Sequence, residues 1–127
     1  AKRAVALPVS APFHSSLMAP AAARLAERLK SIRFAAPSIP IVHNFDVTSH
    51  SDPEAIKRAL IAQADHPVRW VETIRAIAAR GVSTIYECGP GKILAPMVKR
   101  ISDTANGVAL VDHASIEQAI AAQRAAA

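Results

Sequence analysis

His14 stands in the segment Val9-Ser10-Ala11-Pro12-Phe13-His14-Ser15-Ser16-Leu17-Met18, a proline-fixed loop after a strand-like run. A histidine held there can act as a general base, because imidazole, with an ordinary pKa of about 6.5, takes and returns a proton near neutrality. A base needs a nucleophile, and Ser15 and Ser16 are poor ones. They lie outside any Gly-x-Ser-x-Gly elbow, and a hydroxyl adjacent in sequence to its base seldom points at it. The other histidines, His43, His50, His66 and His113, form no compact metal-ligand spacing with Cys88 or with carboxylates; His43 and Asp46 come nearest. Neither a metal nor a cofactor is expected. Cys88, the single cysteine, excludes an internal disulfide and reads as a buried, reduced thiol. Gly89-Pro90-Gly91-Lys92 invites a phosphate-loop reading, since glycines ahead of a helix expose N–H groups to an anion. The pattern is incomplete: the upstream glycine is missing and Ile93 stands where Ser or Thr should follow the lysine, so a tight turn into a helix is expected.

The elements that must position these residues follow from periodicity. Ala4 to Val9 reads as a short strand interrupted by Pro8, suited to a sheet edge. Leu25, Leu29 and Ile32 recur at helical spacing opposite Arg24, Glu27, Arg28 and Lys30, which predicts an amphipathic helix from Ala19 to Phe34. Ile39 to Asn44 reads as a strand and Asp46 to Asp52 as a polar connection. Asp52-Pro53 supplies an N-cap and first-turn proline for a helix to about Gln63, with Ile56 and Leu60 facing the core. His66-Pro67 breaks it, and Trp70, Val71, Ile74 and Ile77 mark another helix, closed by Gly81. Val82 to Glu87 has the apolar, β-branched character of a buried strand. Ile93, Leu94, Met97 and Ile101 predict the next helix, with Pro96 in or near its first turn. Val108 to Val111 is the last strand, and Ser115 with Gln118 forms a capping-box signature for a final alanine-rich helix. Strands alternating with helices imply an α/β architecture with a mainly parallel sheet.

With 127 residues, 51% of them hydrophobic, the chain is about one domain long and able to bury a core. No apolar run approaches a membrane span, and Ala1-Lys2-Arg3 opens no signal-like segment, so a cytoplasmic, membrane-free protein is expected. The absent initiator methionine suggests part of something longer, with methionine removal before Ala1 as the alternative. A formal charge of +5 favours acidic partners, whereas three Phe, one Tyr and one Trp make no stacking platform for nucleic acid.

Four ordered motifs carry a resemblance: Pro12-Phe13-His14-Ser15 with Leu17-Met18; Ile41-Val42-His43-Asn44; Gln63 followed by Pro67-Val68-Arg69-Trp70; and Tyr86-Glu87-Cys88-Gly89-Pro90-Gly91-Lys92-Ile93-Leu94. Over nearly its whole length the chain resembles the C-terminal part of malonyl-CoA:acyl carrier protein transacylases. The resemblance implies a partial hydrolase-like fold, with a mainly parallel sheet and flanking helices. Residues 1–127 would form the C-terminal segment of the large acyltransferase subdomain, without the nucleophile elbow and ferredoxin-like subdomain. It implies transfer of malonyl from coenzyme A to the phosphopantetheine thiol of acyl carrier protein through a seryl ester, in fatty acid synthesis.

In that resemblance His14 matches the general base and Gln63 the residue whose main-chain carbonyl orients it, a place consistent with a helix end where carbonyls lack donors. Phe13 matches a size filter against branched acyl groups, while a ring packed under the loop is an equally open reading; Asn44 matches a polar position near the pocket. The implied partners are malonyl-CoA, acyl carrier protein and the N-terminal remainder of the same enzyme. The departures are the missing Gly-His-Ser-Leu-Gly elbow, oxyanion loop and carboxylate-binding arginine, and Ala64-Asp65 in place of an apolar and aromatic pair. The chain alone is expected to be inactive. Two alternatives are an acyltransferase domain of a polyketide synthase and a non-catalytic fragment binding acyl carrier protein or coenzyme A.

Overall fold

A computed structural model describes residues 4–6 and 9–126. The chain divides into two compact units, Ala1–Trp70 and Val71–Ala127.

In the first unit a 3-10 turn, Ser16–Met18, leads into α1 (Ala19–Lys30), whose first turn holds Pro20, where a missing N–H costs no helical bond. α2 (Pro53–Asp65) starts as the sequence predicts: the Asp52 carboxylate accepts the Ala55 N–H at 2.7 Å, and Pro53 occupies the first turn. The two helices pack together, with Ala22 and Leu29 of α1 and Ile56 and Ala59 of α2 buried. Leu60, expected in that core, is only half-buried. α1 stops short of Phe34. The Ser31 hydroxyl donates to the Arg28 carbonyl at 3.1 Å, satisfying a terminal acceptor and leaving Ile32 outside the helix, 37% exposed.

The expected Ile39–Asn44 strand shrinks to β1 (Val42–His43), paired antiparallel with β2 (Thr48–Ser49), which lies inside the predicted connection. Pro40 cannot donate to a ladder, and Ile39 before it is 76% exposed. Asp46 makes the turn between them, its carboxylate accepting the Thr48 N–H at 3.1 Å. Of the first predicted strand, residues 4–6 and 9 have no strand structure, and Leu7 and Pro8 lie outside the described residues.

The second unit takes in α3 (Trp70–Ala79) from Val71 onward, and this helix ends before Gly81 in the left-handed region at φ 84. Ile74 is fully buried, whereas Val71 is exposed. β3 (Thr84–Cys88), α4 (Ala95–Ile101) and β4 (Asn106–Leu110) form a β-α-β unit, with β3 and β4 parallel in register from Thr84↔Asn106 to Cys88↔Leu110. α4 packs on both strands, burying Ala95 and Val98. Its first residue lies so close to β4 that a Cβ on Gly107 would overlap the Ala95 backbone. α5 (His113–Ala126) packs on β4.

The α/β class holds, but the ordered sheet among the described residues is small: one parallel pair and one antiparallel pair. β3 is half-buried along most of its length, and Cys88, at its end, is exposed, not buried as expected. α4 starts two residues after Ile93, which is 72% exposed and outside the helix; Ala95 and Val98 form its buried face in place of the expected Leu94 and Met97. The final helix is capped by Asp112, whose carboxylate accepts the Ser115 N–H at 2.8 Å, so Ser115 sits in the first turn and is not the cap. Among the described residues no helix is long and apolar enough to cross a membrane.

Candidate functional site

The loop carrying His14 is held by its own polar groups. The Phe13 N–H bonds the Ala11 carbonyl at 2.9 Å, and the Met18 N–H bonds the Ser15 carbonyl at 2.9 Å. Ser15 Oγ donates to the Pro12 carbonyl at 2.7 Å, so the serine next to His14 is committed to the loop backbone. His14 itself lies at φ 58, a region that non-glycine residues seldom occupy and that clusters at functional sites. Its side chain is exposed.

His14 Nδ1 lies 2.9 Å from the main-chain oxygen of Gln63, in the last turn of α2. A carbonyl can only accept, so Nδ1 carries the proton. Neutral His14 therefore presents a lone pair at Nε2. The carbonyl is free for a reason written in the sequence: its helical donor would be the amide of residue 67, and Pro67 has none. The preceding amide, His66 N–H, is already bonded to the Ala62 carbonyl at 3.0 Å. Asp65, one of the departures from the family pattern, has its carboxylate 2.7 Å from His66 Nδ1.

Gln63 is engaged at both ends. Its side-chain amide Nε2 donates to His43 Nδ1 at 2.8 Å. His43 is 3% exposed, and burial first, then the facing His50, holds its pKa below the ordinary histidine value, against an opposing pull from Asp46. His50 Nε2 lies 2.8 Å from the Asp46 carboxylate, and the His43 and His50 ring centres are 5.4 Å apart. Asp46, noticed for its nearness to His43 in sequence, thus bonds His50. Among the described residues no group of three His, Cys, Asp or Glu side chains is placed to hold a metal ion.

The other two candidates stand apart from the His14–Gln63 bond. Phe13 is 57% exposed, so its ring is not packed under the loop. Asn44 is tied to the unit through its carbonyl, which accepts the Arg69 N–H at 2.8 Å, while its side-chain Oδ1 is buried with no hydrogen-bond partner among the described residues. Just past Gly89-Pro90-Gly91-Lys92, the N–H groups at the helix start are taken. The Glu87 carboxylate accepts from Ile93 at 3.1 Å, Leu94 at 3.0 Å and Ala95 at 2.8 Å, and these bonds, Ala95's foremost, hold its pKa below the usual glutamate value. Sequence reasoning missed this cap, because a glutamate ending a strand gives no sign that it will fold back over six to eight residues.

The malonyl CoA-acyl carrier protein transacylase of Salmonella typhimurium strain LT2 is 48% identical over 120 residues, which span 94% of this chain and 39% of the relative. That of Escherichia coli strain K12 is 45% identical over the same shares. The chain is homologous to one segment of malonyl CoA-acyl carrier protein transacylases. Among solved structures, the acyl-carrier-protein S-malonyltransferase from Burkholderia pseudomallei 1710b superposes with a TM-score of 0.85 at 52% identity, covering 93% of this chain and 38% of that one. A malonyl-transacylase in complex with its type II PKS acyl-carrier protein superposes at 0.87 with 45% identity, covering 93% and 38%. No protein-family model matches. The chain therefore spans about two-fifths of the length of these transacylase relatives.

Proposed function

We propose that this chain is the base-bearing part of a malonyl-CoA:acyl carrier protein transacylase, within the larger acyltransferase subdomain and acting in fatty acid synthesis in the cytoplasm. The observation that carries the reading is the 2.9 Å bond from His14 Nδ1 to the Gln63 carbonyl, in a chain 48% identical to such an enzyme. It supports His14 as general base, because fixing the proton on Nδ1 leaves Nε2 as the basic nitrogen.

In the first half-reaction His14 Nε2 takes the proton of a serine hydroxyl, supplied by sequence outside this chain, as that oxygen attacks the malonyl thioester carbonyl of malonyl-CoA. The carbon–sulfur bond breaks, and the imidazolium returns the proton to the departing coenzyme A thiolate. In the second half the phosphopantetheine thiol of acyl carrier protein gives its proton to His14 and attacks the seryl ester, and the serine oxygen recovers the proton. General base help of this kind is worth about 10²- to 10⁴-fold. Gln63 orients the imidazole as the aspartate does in a serine triad, with a neutral carbonyl in place of a carboxylate. Phe13, exposed on the same loop, is assigned as a filter against branched acyl groups, and Asn44, through its unpaired Oδ1, as a polar contact to substrate.

The test is pre-steady-state malonyl loading in the natural polypeptide that carries this chain. His14→Ala should slow formation of the malonyl ester by at least about a hundredfold; near-normal loading would overturn the assignment. One observation favours a second setting, since a solved relative is a malonyl-transacylase in complex with a type II PKS acyl-carrier protein. Comparing carriers from fatty acid and polyketide pathways as malonyl acceptors separates the two.

A further inference from the structure

We infer that His43 is a positioning residue for His14, acting through the side chain of Gln63. The inference rests on the reading of His14 as base and extends it from one contact to a relay. Gln63 bonds both histidines at once, its carbonyl accepting from His14 Nδ1 at 2.9 Å and its amide donating to His43 Nδ1 at 2.8 Å. The two imidazoles therefore hold opposite tautomers, His14 protonated at Nδ1 and neutral His43 at Nε2.

Three features make His43 an anchor. It is buried, on β1, a strand in contact with α2, so its ring does not wander. Its Nε2 is buried with no partner among the described residues, so the orientation of the ring is set by the Gln63 bond. Its neighbourhood is braced: the His50 ring faces it at 5.4 Å, His50 is held by Asp46, and the turn joining β1 to β2 contains Val47 at φ 60, a conformation costly for a β-branched residue. By contrast the Gln63 carbonyl sits in a last helical turn that lacks the Pro67 amide, where the side-chain bond to His43 adds a tie to the strand.

A double-mutant cycle in the natural polypeptide tests this. His43→Phe keeps a ring and removes the acceptor; Gln63→Leu removes the amide and leaves the carbonyl. Each should lower the first-order rate of malonyl loading by about three- to tenfold, the scale of one neutral hydrogen bond, with KM unchanged, and the double variant should be no slower than either single one. Selective ¹⁵N-histidine NMR should show His14 protonated at Nδ1 in the parent and shifting toward the mixed tautomer of free imidazole in both variants. An unchanged loading rate and His14 tautomer in His43→Phe, or losses that multiply in the double variant, would overturn the inference. If His43→Phe does not fold, Gln63→Leu decides alone, an unchanged His14 tautomer being the overturning result. Should His14→Ala leave loading intact, the base assignment falls, while the tautomer readout still judges the relay.

Discussion

The end of α2 and the start of α4 solve the same problem in opposite ways. Each is a helix terminus with orphaned backbone groups, carbonyls in the first case and N–H groups in the second. At α4 the chain supplies its own partner, and the Glu87 carboxylate takes the N–H groups of Ile93, Leu94 and Ala95. At α2 the partner of the Gln63 carbonyl is a side chain from a strained loop, and that side chain still has a nitrogen to spare. A helix end closed by its own strand is structural, whereas one that orients a second functional group can do chemistry. Glycine content points the wrong way here, since the glycine-marked terminus is the closed one.

Substitutions that exchange these characters would break or sharpen the contrast. The largest effect on stability is expected from Gly107→Ala, which drives a methyl into the Ala95 backbone and prises the capped end of α4 from β4. It should cost about 1–3 kcal/mol or more, read by chemical denaturation. Pro67→Ala restores an amide that can compete for the Gln63 carbonyl; malonyl loading should fall up to about tenfold while thermal stability is kept or raised. The reverse result, lower stability with normal loading, would show that the open carbonyl is incidental. Gln63→Ala should lose less activity than His14→Ala, because the carbonyl survives; an equally severe loss would place the role in the side chain.

Acid should separate the two ends with smaller effects. Neutral His43 is favoured in the folded state, so its contribution is complete above about pH 6.5 and is lost as pH falls from there toward its lowered folded value. Glu87 and Asp112, both held below the usual carboxylate range by bonds from backbone amides, contribute above about pH 4 and lose that contribution as pH falls through their folded values. Glu87→Gln should therefore lower the thermal midpoint at neutral pH and flatten its decline below about pH 4. A midpoint that declines as steeply as the parent's would mean the cap is not Glu87.

Much of the local structure was legible in the sequence. Asp52-Pro53 starts α2 where the caps say, Gly81 follows α3, and Gly89-Pro90-Gly91 turns β3 toward α4. Misjudged elements share a cause: burial is decided by what packs against a face. Periodicity cannot tell that Ala95 and Val98 are buried while Ile93 and Met97 are exposed, nor that Cys88 ends its strand in the open.

At the site, residue types and order determined a histidine on a proline-fixed loop and a glutamine near a helix end, and Pro67 marks in advance which carbonyl lacks its donor. Only the tertiary structure decided that this carbonyl meets Nδ1 of His14, that Gln63 also holds His43, and that the glycine-marked helix start is filled by Glu87. A sequence records which groups lack a local partner. Pairing groups 49 residues apart, as with His14 and Gln63, is the work of packing, which no local pattern encodes.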